Sequence, residues 1–360
     1  MKSQRILVTG HHGYIGSILS RMLKAAGHAV VGADMHLYER CTFGDEHRLG
    51  IEVINKDIRE LTPDDVAGFD AIAHLAGLAN DPLGDLVPET TIEINQRATV
   101  RLASIAKAAG VKRFVFSSSC SVYGAATADW VHEDALPNPV TPYGVSKLEA
   151  EHELRALADD DFSPVYLRSA TAYGFSPRIR FDLVLNNLVA YAFTKGRVLL
   201  KSDGMAWRPI VHIEDISRAF RAAIEAPRDA VHDEVFNVGI TTENYRIREI
   251  AEIVEDVVPG STIAYSRDAG PDKRSYRVDC SKISRVLPGF KPQWTALRGA
   301  EELLARYQKI GLTEEDFEGP RYQRLAHLKM LMARGLVDDQ LRWVPPPAGD
   351  VAAGLTFGAD

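Results

Sequence analysis

Arg5-Ile-Leu-Val-Thr-Gly10-His-His-Gly13-Tyr-Ile-Gly16 is the stretch on which the fold turns. A short apolar run enters glycines spaced by two residues, and apolar positions then recur at Ile18, Leu19, Met22 and Leu23 as far as Gly27. The run reads as a buried strand and the recurrence as an amphipathic helix. Strand, glycine turn and helix in that order build a phosphate site. Glycines allow the backbone to turn tightly and approach a pyrophosphate, which then sits at the positive end of the helix. Gly-x-x-Gly-x-x-Gly is one residue longer than the usual dinucleotide fingerprint, but its context supports it. Ala29-Val-Val-Gly-Ala33 reads as the next strand and ends at Asp34, about twenty residues on. A carboxylate there accepts hydrogen bonds from the adenosine ribose and repels a 2′-phosphate, so NAD is expected rather than NADP. An aspartate that only opens a surface loop is the plainer alternative.

The same alternation continues outward. Glu52-Val-Ile-Asn-Lys56 is a third strand candidate, after which Asp57, beside Ile58, either reaches the adenine edge or caps a turn. Asp70-Ala-Ile-Ala-His-Leu75-Ala76 is a fourth, and Gly77 after it brings backbone close to the cofactor. A helix pattern over 91–109 carries Asn95. Lys112-Arg-Phe-Val-Phe116 is a fifth strand, and it delivers the hydroxyls from Ser117 to Ser121 at its carboxyl end, where such sheets bind ligands. Tyr14 and Ile15 inside the glycine turn, and Leu75 and Ala76 at the end of the fourth strand, complete the expected cofactor contacts.

Thr141-Pro-Tyr143-Gly-Val-Ser-Lys147 opens the next helix, 142–159, with proline in its first turn. Tyr143 and Lys147 are four residues apart and share a face. A phenol titrates near ~10 in water, and an ammonium one turn away favours the tyrosinate, so Tyr143 is read as a proton carrier with Lys147 lowering its pKa. Ser119 is the hydroxyl that would hold the same substrate oxygen.

Pro164-Val-Tyr-Leu-Arg168 is a sixth strand, and beyond it the alternation loosens. The expected architecture is α/β: a Rossmann doubly wound parallel sheet over 1–168, also receiving about 207–238, with a smaller α/β substrate domain from 169–206 and 239–310. A helical extension over 311–343 and a disordered tail over 344–360 follow. Charged residues at 25% and a formal charge of −7 without a basic block argue against nucleic acid as a partner. No apolar run reaches the ~20 residues of a membrane span. Met1-Lys-Ser-Gln-Arg5 leaves no room for a signal segment, and Cys41, Cys120 and Cys280 show neither metal spacing nor a disulfide framework, so a cytoplasmic protein without a bound metal is expected.

Gly10-x-x-Gly13-x-x-Gly16, Asp34, Ser119 and Tyr143-x-x-x-Lys147, in that order, resemble the extended short-chain dehydrogenase/reductase family, the nucleotide-sugar epimerases and dehydratases. The likeness covers roughly residues 5–310. Phe116-Ser-Ser-Ser119-Cys-Ser-Val-Tyr-Gly124 is similar to the family's serine segment, whose third hydroxyl residue is catalytic. Trp207-Arg208-Pro-Ile-Val-His212 is similar to the segment whose arginine holds the substrate diphosphate, and Arg274 resembles a second such arginine. Guanidinium groups suit that task because they grip phosphate oxygens in parallel, although surface salt bridges remain the alternative for both. Asn186, near the start of a helix over 181–194, is a further diphosphate candidate. Arg178 and Arg180 in the preceding loop either help or are solvated charges. Thr171 stands where many relatives have an asparagine that touches the nucleotide sugar.

The departures narrow what the resemblance implies. Family 4,6-dehydratases carry an Asp-Glu pair after the catalytic hydroxyl, because elimination of water needs a further acid and base. Cys120 and Ser121 occupy those places, which disfavours dehydration and decarboxylation alike. Cys120 is either an acid or base or a small buried residue. The resemblance implies NAD, a nucleotide-diphosphate sugar, and a homodimer through helices 91–109 and 142–159, which a monomeric mass in solution would contradict. The leading reaction is 4-epimerisation through a transient 4-keto sugar. A one-way 4-ketoreductase of a deoxysugar pathway is the alternative enzyme. A non-catalytic dinucleotide-sensing regulator is disfavoured because Tyr143 and Lys147 are both present.

Overall fold

Ile6 and Val8 face one side of the strand Arg5–Thr9 and Leu7 the other, and all three are fully buried. A strand with no polar face needs cover on both sides, which is the condition of a central parallel strand. The computed structural model describes residues 3–43, 49–79, 81–124, 129–270 and 275–345. It places this strand in a sheet of seven strands, ordered Glu234–Val238, Ser163–Ser169, Arg113–Ser119, Ala71–His74, Arg5–Thr9, Ala29–Asp34, Glu52–Asn55. Every pairing is parallel. The chain winds outward from Arg5–Thr9 in one direction, returns, and then winds outward in the other. Its strand order therefore reverses beside the glycine turn, which opens a crevice at the carboxyl ends of the strands.

Helices cover both faces. Phe114, Leu102 and Leu154 belong to the core on one side, and Leu19, Phe220 and Phe236 to that on the other. A third cluster, around Leu185, Val254, Leu303 and Tyr307, joins the helices Val184–Lys195, Ile247–Val257 and Ala296–Ile310 into the second lobe.

Two expectations change. The segment 207–238 does not enter the large sheet whole. Its strand Glu234–Val238 joins the sheet and its helix Ile213–Glu225 packs on it, but Trp207–His212 pairs with Thr171–Tyr173 and Asn244–Arg246 in a small separate sheet. An apolar run identifies a strand without specifying whose edge it meets. The helix expected over 91–109 contains a π-helical turn, Glu93–Ala98, between Pro88–Ile92 and Thr99–Ala108. Such turns concentrate at functional sites, and this one carries Asn95.

The extension over 311–343 is helical at Glu314–Glu318 and Arg324–Ala333 and closes with a bridge between Val337 and Trp343. Most of the expected tail, 346–360, lies outside the described residues.

Candidate active site

The glycine turn can only be made by glycine. Gly10 has φ +73°, and a Cβ on Gly16 would come within 2.1 Å of the Gly10 carbonyl oxygen. Asp34 locks this turn to the end of its strand: Oδ2 accepts from the His12 N–H at 3.1 Å and Oδ1 from the His36 N–H at 2.8 Å. The result is a bare backbone cradle at the start of the helix Gly16–Ala25 with a carboxylate beside it, which fits a dinucleotide pyrophosphate and its adenosine ribose.

A cleft of about 1570 Å³ runs from this cradle into the second lobe. Gly10, Gly13, Tyr14, Ile15 and Gly16 line it, with Asp34, Asp57, Ile58, Leu75, Ala76 and Gly77. Ser117, Ser119, Ser121, Tyr143 and Lys147 line its middle, and Thr171 and Arg208 contribute from the small sheet. Residues far apart in the chain therefore meet where the spacing argument placed them.

Thr141 caps the helix Pro142–Arg155, its hydroxyl accepting from the Gly144 N–H at 3.1 Å and donating to Asp81 at 2.7 Å. Tyr143, Lys147 and Glu151 then follow at successive turns. The Lys147 ammonium lies 4.7 Å over the Phe116 ring and 5.9 Å from the centre of the Tyr143 ring. Burial brings Lys147 down to about 8, with the Glu151 carboxylate opposing it. Burial pushes the Tyr143 phenol up, while its hydrogen bond with Ser119 and the charge of Arg180 pull it down. In the protein alone the net shift of Tyr143 is upward, because loss of hydration outweighs the neighbouring charges.

Glu151 escaped the sequence reading, although its spacing from Lys147 was the available signal. Its carboxylate accepts from the Ser118 hydroxyl and from Arg168, through Nε at 3.0 Å and Nη2 at 2.6 Å. Arg168 also donates to Tyr123 Oη at 3.1 Å, and Tyr123 donates to Asn237 at 2.6 Å. This buried network braces the helix Pro142–Arg155 against the strand Ser163–Ser169.

Asn95 and Asn186 serve the site differently from expectation, while Cys120 and Asp57 each take one of the two roles left open for them. Asn95 is buried and spends its amide on Leu78, at 2.8 and 3.0 Å, and on Ser146 at 3.3 Å, so it shapes the loop after Gly77 instead of touching cofactor. Asn186 is likewise buried: it accepts from the Gly174 N–H at 2.9 Å and donates to Tyr14 Oη at 2.9 Å and the Arg180 carbonyl at 3.0 Å. No polar atom is left there for a diphosphate, and its neighbour Asn187 lines the cleft. Cys120 is 1% exposed, donates to the Arg168 carbonyl at 3.2 Å and has its thiol pKa pushed up by burial, so it is the small buried residue and not an acid or base. Asp57 takes the capping option, accepting from the Arg59 N–H at 2.9 Å and pairing with the same residue's guanidinium.

Neither arginine of the loop after Gly174 is solvated. Arg178 donates to the Tyr38 carbonyl at 2.8 Å, whereas Arg180 lines the cleft and pairs with Asp182 at 2.6 Å. Arg274 lies outside the described residues. Phe317, Gln323 and Arg324, which line the cleft from the extension, gave no sequence signal. Among the described residues no helix is long and apolar enough to cross a membrane, and no cluster could hold a metal.

Residues 6–239 match the model of the "NAD dependent epimerase/dehydratase family". The chain is 31% identical to a UDP-glucose 4-epimerase of Mycolicibacterium smegmatis, over 82% of this chain and 96% of that one. It is 28% identical to the UDP-glucose 4-epimerase of Bacillus subtilis, over 83% and 94%. Among solved structures, MoeE5 in complex with UDP-glucuronic acid and NAD is 30% identical, superposes with a TM-score of 0.74, and is matched over 86% of this chain and all of that one. With its cradle, its Ser119, Tyr143 and Lys147 and these likenesses, the chain belongs to the NAD dependent epimerase/dehydratase family and is an NAD-dependent enzyme of the extended short-chain dehydrogenase/reductase type.

Proposed function

We propose that the enzyme is a nucleotide-sugar C4 oxidoreductase, acting as a 4-epimerase through a transient 4-keto sugar. The observation that carries this reading is the pair of positions after Ser119. Cys120 is sealed behind the cleft and Ser121 offers only a hydroxyl, so no carboxylate stands there for elimination or decarboxylation. What remains is chemistry that Tyr143 can perform alone. When bound, NAD supplies the acceptor and then the donor of the C4 hydride. Tyr143 takes the C4 hydroxyl proton and returns it after the sugar has turned. Ser119 orients that hydroxyl, and Lys147 and Arg180 offset the phenolate charge. Arg208, in the second lobe's wall of the cleft, is assigned to the substrate diphosphate. The relatives named for UDP-glucose make uridine the first nucleotide to test.

Mass spectrometry of the small molecules released on denaturing the purified protein should find stoichiometric NAD. Proton NMR should then show UDP-glucose and UDP-galactose interconverting without added cofactor. A protein that carries no NAD and turns over only with added reduced cofactor is a one-way 4-ketoreductase, and that outcome overturns the epimerase.

A pH dependence follows from Lys147. Its ammonium, assigned to the nicotinamide ribose, is lost as pH rises through about 8 in the protein alone. NAD binds the protonated form, so its affinity should be flat below that value and fall above it, until the higher pKa that the bound cofactor gives the lysine is reached. Titration calorimetry from about pH 7 to about pH 9.5 reads the effect, and Lys147→Met should flatten it. A wild-type affinity constant over that range would remove the assignment.

A further inference from the structure

The extension after Gly311 grips the loop that follows Asp34. Trp343 Nε1 donates to the Met35 carbonyl at 2.6 Å, His327 Nε2 to that of Leu37 at 3.0 Å and Arg321 Nε to that of Arg40 at 2.9 Å, while the Tyr322 ring stacks on Phe43 at 3.9 Å. These contacts bring Arg324 into the wall of the cleft. Its guanidinium lies 4.0 Å over the Tyr38 ring, and Nη2 donates to the Arg178 carbonyl at 3.1 Å. The residue is only 4% exposed, yet its Nη1 has no hydrogen-bond partner among the described residues. The Cys41 thiol beside it hydrogen-bonds the guanidinium, but sulfur is a weak acceptor that carries no full charge.

Arg324 also senses the charge of Arg180, and Arg178 that of Arg324. Arg180 is paired with Asp182, Arg178 is held by backbone carbonyls and faces Asp34 and Glu39, and Arg324 makes no ion pair among the described residues. A buried guanidinium with a donor to spare, in the wall of a cleft that contains a dinucleotide cradle, is the signature of an anion contact completed by a ligand. We propose that Arg324 binds a phosphate group of the dinucleotide cofactor, and that the extension exists in part to deliver it. The inference rests on the use of the cofactor and not on the reaction at the sugar.

The test is equilibrium binding to the full-length, cofactor-stripped protein, with NAD, NADP, ADP-ribose and adenosine as probes. Arg324→Leu should weaken the phosphate-bearing ligands about tenfold, the usual consequence of losing a charged hydrogen bond. Adenosine should change less than about twofold, since it carries no phosphate for the lost charge-assisted bond. A loss shared by NAD and ADP-ribose assigns the contact to the pyrophosphate; a loss confined to NADP would place Arg324 at the 2′ position, which NAD leaves without a phosphate, and would overturn the proposal. If all four ligands weaken alike, Arg324 merely holds the loop and the proposal is wrong, as it is if none weakens. Should the leucine variant not fold, Arg324→Gln, which keeps a donor for the Arg178 carbonyl, carries the same comparison. Neither variant requires turnover to be read, so failure here leaves the epimerase reading standing, and the converse also holds.

Discussion

Tyr143→Phe should lower turnover by about 10²- to 10⁴-fold and leave NAD affinity within about twofold, because it removes the proton carrier and little else. The ring keeps its place in the first turn of the helix Pro142–Arg155, whose cap is made by Thr141 and not by the phenol. Ser119 loses a partner at the cleft surface, where water replaces it. The structure adds a condition that spacing alone did not supply. Burial holds the phenol above its ordinary value while the Ser119 hydrogen bond and Arg180 pull it down, so Arg180 joins Lys147 in the proposed proton transfer. Steady-state kinetics with calorimetry checks both halves. Turnover within tenfold of wild type would remove Tyr143 from the reaction, and a parallel collapse of NAD binding would show that the substitution damaged the cleft.

Glu151→Ala should destabilise the protein by about 3–5 kcal/mol, the cost of leaving a buried cation without its counter-ion. Arg168 is buried, and its Nε and Nη2 both point at the Glu151 carboxylate, so no solvent can take the place of the lost group. Glu151→Gln should cost less, since the amide oxygen still accepts from Arg168 and from the Ser118 hydroxyl. Urea unfolding of the three proteins would show this order, and an alanine variant within 1 kcal/mol of wild type, far below the usual loss, would refute it. A second effect reaches the cleft. Glu151 is the carboxylate that opposes the lowering of Lys147, so in a folded Glu151→Gln variant the lysine titrates below its wild-type value of about 8. The fall in NAD affinity with rising pH should then begin earlier.

The large sheet was legible because its strands carry the signal locally. Leu7, Ile72 and Phe114 lie in apolar runs that have no polar face, and Gly10 and Gly16 sit where any side chain would strike backbone. Ser119, Tyr143 and Lys147 were legible for a similar reason, since the four-residue spacing and the end of a strand are properties of the chain itself. Asn95 and Asn186 were misassigned because a polar side chain reads alike whether it faces a ligand or a buried carbonyl. Only the fold around Leu78 and Gly174 reveals that their amides are already taken. Cys120 became a buried thiol by the same kind of evidence, which supports the proposed reading of a reaction without elimination.

From the sequence alone came the doubly wound sheet, the dinucleotide turn, the use of NAD and the grouping of Ser119, Tyr143 and Lys147 proposed as catalytic, all set by periodicity, by glycine sterics and by short spacings along one element. Tertiary structure decided which sheet Trp207–His212 joins, the upward shift of the Tyr143 phenol, the bracing of the catalytic helix through Glu151 and Arg168, and the arrival of Arg324 in the cleft. Each of these depends on desolvation, on partners distant in the chain or on which buried charge finds which neighbour, and such energies exist only once the chain has closed on itself.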